Sequence, residues 1–191
     1  MNNPDLDRLI VESVVDLDAA ATRMDQLQSL LWDAQATTLR AWAASNGWLG
    51  EFDPKGDLRV WPKPWDGDGV PKAAFSLAAG PDNVDLGHYF ELLGLLGAGG
   101  ARTALWFQYK GPRPPWKIAA RQEAETLAGY GFIWTASAHF QTDCTPVYAE
   151  MIDSVETADY APMTVKITSA LERTKAAVPD FTRLLSSLGA L

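Results

Sequence analysis

Apolar residues recur at three- and four-residue steps through the first part of the chain: Leu6, Ile10, Val14, Leu17, Ala21, Met24, Leu27 and Leu31. That period is the amphipathic α-helix. Trp32, Leu39 and Trp42 prolong the face, and no proline interrupts it after Pro4. Pro4 suits the first helical turn, and Asp5 and Asp7 sit favourably at the positive end of the dipole. Residues 4–46 therefore read as one long helix, or as a hairpin broken near Asp16–Asp18. The heptad-like spacing permits a coiled-coil contact within the chain or with a second copy. Packing within the chain is the expectation.

Ser45-Asn46-Gly47 stops this helix, since Asn and Gly accept the left-handed backbone that ends helices. The pattern then changes to short runs. Trp48–Phe52 and Leu58–Trp61 read as strands around the turn Asp53-Pro54-Lys55-Gly56. Pro62 and Pro64 end regular pairing or mark a sheet edge. A loop at Asp66-Gly67-Asp68-Gly69 precedes a strand over Lys72–Ala79, completing a three-stranded antiparallel meander. Asp85 can start a short apolar helix to about Leu96, which Gly97-Ala98-Gly99-Gly100 ends. Arg102–Tyr109 is strongly apolar and reads as a central strand. A helix over Trp116–Ala128, a strand over Phe132–Phe140 and a strand over Val147–Val155 follow. A helix over Ala161–Ala177 is broken at Pro179, and a last helix carries Phe181, Leu184, Leu185 and Leu188.

This order predicts an α+β fold. A small, mainly antiparallel sheet of about five or six strands is covered by helices, with a long N-terminal helix or helical hairpin and a C-terminal helix pair. Residues 1–46 would be an N-terminal helical segment packed on the core. Residues 47–191 would be the α+β core with its C-terminal helices, in one domain overall.

Charge narrows the partners. With 24 acidic against 16 basic side chains the formal net charge is −8. Such a surface disfavours nucleic acid and anionic membranes, and suits a basic protein partner. No run is long and apolar enough for a transmembrane helix, and the acidic N-terminus is unlike a signal peptide, so a cytoplasmic location is expected. Cys144 is the only cysteine, which excludes an internal disulfide and a Cys-rich metal site.

No catalytic constellation emerges, and no metal or cofactor is expected. Asp66–Gly69 lacks the ligands of a calcium loop, since the twelfth position is Leu77. The glycines at 97–100 follow a helix and precede a strand, the reverse of a phosphate cradle. His139 and Cys144 could form a nucleophilic pair only if the fold brings them together. His88 is the only other histidine.

Two clusters are candidate binding sites. Trp61 and Trp65, beside Pro62 and Pro64, could be exposed partner anchors or core residues. Glu51, Asp53, Asp57, Asp66 and Asp68 would supply acidic contacts around them. Separately, Lys110, Arg113, Lys117 and Arg121 gather with Trp116 at a helix start, where an anion could sit. The plainer expectation there is that Arg121 pairs with Glu125 one turn on and the others are solvated. The leading expectation is an acidic, non-enzymatic protein-binding domain, of an inhibitor or immunity type, that blocks a basic nucleic-acid-handling partner. A small-molecule anion-binding or minor enzymatic domain using the basic helix start at 110–121 is the second reading. An assembly subunit, for instance a homodimer joined through the N-terminal helices, is the third.

Overall fold

The N-terminal periodicity becomes two helices, α1 (Pro4–Glu12) and α2 (Val14–Asn46). The computed structural model describes residues 3–67, 70–79 and 89–191. Local signals start α1. The Asn3 side chain accepts the Leu6 N–H at 3.3 Å, Pro4 occupies the first turn, and Asp5 and Asp7 follow. The break lies at Ser13 rather than near Asp16–Asp18, and it is not a hairpin. The Ser13 N–H still bonds to the Leu9 carbonyl and the Leu17 N–H to that of Ser13. Gly47, at φ +67°, closes α2 as the Asn-Gly pair predicts.

The main sheet is antiparallel throughout. Its strands are β1 (Trp48–Phe52), β2 (Leu58–Pro62), β5 (Ala73–Ala79), β6 (Thr103–Tyr109), β7 (Ile133–Trp134) and β8 (Phe140–Asp143). Their order is β1-β2-β5-β6-β8-β7. A small separate hairpin joins β3 (Asp66–Gly67) to β4 (Val70–Pro71). Among the described residues four further helices follow in chain order: α3 (Phe90–Leu96), α4 (Arg113–Ala128), α5 (Tyr148–Thr157) and α6 (Ala161–Ser187). The expected start of α3 at Asp85 lies outside the described residues.

Register explains the core. Val60, Phe75, Phe107, Phe140 and Trp134 are successive cross-strand partners and so share one face. Helix α6 lies across that face and sets Phe181 against Phe107 (4.3 Å between centroids, stacked) and Phe75 (5.2 Å, edge-on). Trp116 of α4 stacks on Phe107. The second half of α2 closes the layer with Leu31, Leu39 and Trp42 buried. The Trp42 indole N–H donates to Glu172 of α6 at 2.6 Å.

Three expected elements come out differently. The strand expected over Val147–Val155 is instead helix α5, which begins at Tyr148. Met151 and Ser154 are its buried positions, at the three-residue spacing of a helix. The expected strand at 132–140 is instead a tight hairpin. Thr135 and His139 close its loop: the Thr135 N–H donates to the His139 carbonyl, and the Thr135 hydroxyl accepts the His139 N–H. Finally, α6 continues through Pro179 without a break. An interior proline costs about 3 kcal/mol. Burial of Phe181, Leu184 and Leu185 beyond it contributes about 1.5–3 kcal/mol each. Pro179 itself is exposed.

Candidate functional site

Of the two roles open to Trp61 and Trp65, exposed anchor or core residue, the fold takes the second and buries both rings. Trp61 is 5% exposed and Trp65 fully buried. The Trp65 indole packs against Phe75 and Phe107 and donates to the Thr182 hydroxyl at 3.0 Å. The 3₁₀ turn Lys63–Trp65 turns this ring inward, which strand alternation alone could not foresee. Trp61 donates to Asp66 at 3.2 Å.

The neighbouring carboxylates mostly serve the hairpin. Glu51 receives two bonds from Arg59, at 2.9 and 2.7 Å. Asp57 lies 3.8 Å from the same guanidinium. Those Glu51 bonds, against some burial, hold Arg59 above its usual basicity. Asp53 accepts the Lys55 N–H and the Gly56 N–H in the turn. Asp68 lies outside the described residues.

The basic cluster is divided. Lys110 follows β6, and its backbone N–H bonds to the Lys72 carbonyl. Arg113 donates to the Ser137 carbonyl at 3.3 Å, tying α4 to the β7–β8 loop. Lys117 and Arg121, one turn apart on α4, line a cleft of about 510 Å³ whose other wall includes Trp134, Ala136 and Ala138. Neither has an ion-pair partner among the described residues, and the expected Arg121–Glu125 pair is absent from them. Ala138 holds a left-handed backbone at φ +65°. Its carbonyl accepts the Trp116 indole N–H at 3.0 Å, so the buried tryptophan fixes the shape of the cleft wall.

His139 and Cys144 do not form a reactive pair. The His139 ring lies against Trp106 at 5.8 Å. Burial first, then the Arg113 charge, pull its basicity below the usual imidazole value, opposed by a hydrogen bond with the Phe107 backbone. Cys144 packs in the core, and burial pushes its thiol far up, away from the nucleophilic thiolate. His88 lies outside the described residues. Among the described residues no three His, Cys, Asp or Glu side chains gather to hold a metal ion. No described helix is long and apolar enough to cross a membrane.

A second cavity, of about 340 Å³, lies between α2 and the sheet, with Trp32, Leu77 and Glu91 on its walls. Gln28 and Trp32 both donate to Glu91, at 3.0 and 3.4 Å, so the charge there is already engaged.

The largest feature is the arm formed by α1 and the start of α2. Leu6, Leu9, Ile10, Val11, Val14, Val15 and Leu17 are all between 44% and 78% exposed. Helix α1 buries no residue, and α2 buries none before Leu31. Ala21, Met24 and Leu27 are half-buried. Thus a single apolar stripe runs from solvent into the core. At 1.5 Å per residue, Pro4 to Ala20 extends roughly 25 Å. The seven-residue series Ile10, Leu17, Met24, Leu31 and Leu6, Ser13, Ala20, Leu27 are the two seam positions of a coiled coil. The sequence pattern reveals this stripe but not that half of it lies bare.

Comparison of the chain with protein-family models, curated proteins and solved structures finds no match.

Proposed function

We propose that this chain is an assembly subunit that associates with a second copy of itself through the N-terminal helical arm. The observation that carries this reading is the bare apolar stripe from Leu6 to Leu17, continuous with the stripe buried from Leu31 onward. A helix as short as α1, nine residues, is marginal in water on local propensity alone. An arm that buries none of its apolar face against its own body gains stability when that face is covered.

The seam suits like pairing like. Asp5, Glu12, Asp18 and Asp25 lie off the two seam series, on the outer side of the helix. In a parallel pair the flanking Asp16 would face Ala21 and Arg23 would face Gln28, so no like charges oppose. Leu9 and Val14 widen the seam with further apolar surface. The acidic-inhibitor reading drew on the negative charge, the surplus of aromatic residues and the lack of a catalytic constellation, and it loses Trp61 and Trp65 as anchors because those rings are in the core.

Sedimentation equilibrium tests the proposal. The wild-type chain should show an average mass above the 20.8 kDa of one copy at micromolar concentration. The association should survive about 0.5 M salt, because apolar burial is not screened as charge pairs are. Replacing Ile10 and Leu17 with Gln should weaken it at least a hundredfold, since each side chain contributes on the order of 1 kcal/mol per copy. A mass of one copy at all concentrations would overturn the proposal. An association that salt abolishes would favour a charge-driven partner instead.

A further inference from the structure

We infer that the cleft between α4 and the β7–β8 loop binds a small amphipathic anion, with a planar apolar body and a carboxylate or phosphate group. This site is independent of the arm. Its volume, about 510 Å³, lies within the range of small-molecule pockets. Its two walls differ in chemistry. The helix supplies the Lys117 ammonium and the Arg121 guanidinium one turn apart, with the Gln122 amide beside them. The facing wall supplies the half-buried Trp134 indole and the small side chain of Ala136, with Ile118 at the helix side.

Several observations point to a ligand rather than a solvated helix face. Ion pairs among the described residues are formed by Arg8, Arg59 and Arg183, and most other cations, Lys117 and Arg121 included, form none, so the cleft is set apart by its shape and its two kinds of wall. The cations are also concentrated at a concave surface, which focuses their field. The wall opposite them is rigid. Trp116 bonds the Ala138 carbonyl and Arg113 the Ser137 carbonyl, so the loop is pinned at two adjacent residues. A guanidinium fork and an ammonium can share the oxygens of one anion. The exposed Ile118, at 67%, and the half-buried Trp134 indole can contact an aromatic body. An inorganic ion would leave that apolar wall unused, so the two halves together specify an amphipathic ligand.

The test is an NMR titration of the isotope-labelled full-length chain with phenyl phosphate, following the Trp134 indole N–H and the Arg121 side-chain N–H. Both resonances should shift saturably. Inorganic phosphate and phenol, each carrying half of the chemistry, should bind at least tenfold more weakly. Benzoate in place of phenyl phosphate decides between carboxylate and phosphate as the preferred group. The paired substitutions Lys117→Gln and Arg121→Gln should weaken binding at least tenfold. Ala136→Glu, at an exposed position, should do the same by placing a carboxylate beside the cations. No saturable shift with either aromatic anion would overturn the inference. So would equal binding of inorganic phosphate, or binding indifferent to both sets of substitutions.

Discussion

Ala158 ends α5 with a left-handed backbone at φ +55°, exposed to solvent. An L-residue with a Cβ is strained there, and glycine is not. Ala158→Gly should therefore raise stability by about 0.5–1 kcal/mol, as read from urea unfolding. His139 makes a different residue-level prediction. Its folded basicity lies below the usual value, through burial and then Arg113. The unfolded chain therefore binds the proton more readily once pH falls below about 6.5. The histidine's contribution to stability is complete above that pH and is lost as pH drops through the folded value. NMR titration should give a His139 midpoint below 6.5, and Arg113→Gln should move it upward. A midpoint at or above the ordinary value would remove both the burial and the Arg113 effect. Individual residues were also where sequence reasoning met its limit. The spacing of Lys117 and Arg121 along a helix is legible, but their facing wall is not, because it depends on a hairpin that carries no glycine or proline in its turn. Trp61 and Trp65 could not be assigned to surface or core, because a 3₁₀ turn separates them.

At the scale of elements, legibility follows turn chemistry. The ends marked by Asn46-Gly47, by Asp53-Pro54-Lys55-Gly56 and by Gly97 lie where the sequence predicts them. The strands of the 48–79 meander and the central strand at 103–109 follow from alternation and apolar runs. Helix α5 is misread because Val147, Ile152 and Val155 are β-branched residues that favour strands. The buried positions Met151 and Ser154 decide otherwise. Pro179 is misread because local cost is visible in sequence and compensating burial is not. The same contrast separates two helices in a testable way. Phe181→Ala in α6 should cost about 3–5 kcal/mol, since its ring touches four other aromatic rings. Ile10→Gln with Leu17→Gln in the arm should change the stability of the single copy by no more than about 0.5 kcal/mol each. A large loss from the arm substitutions in dilute protein would mean that the arm packs on its own body.

At the scale of the whole molecule, the body and the arm are different kinds of structure. The body closes an aromatic core between one sheet face and three helices, α2, α4 and α6. The arm prolongs α2 beyond that core and keeps the same apolar stripe. From sequence the stripe reads as one continuous helix face packed within the chain, because nothing in the pattern marks where the body ends. Its exposure is a property of the assembled fold, and it moves the weight of the functional reading from the acidic hairpin to the arm. The most direct test is hydrogen exchange of the backbone amides of residues 4–20 as a function of protein concentration. A bare arm exchanges quickly, because opening a partnerless helix costs little. The account predicts that protection of these amides rises steeply with concentration, while amides of β5 and β6 stay equally protected throughout. Arm amides that exchange at the same fast rate from nanomolar to about 100 µM would contradict it.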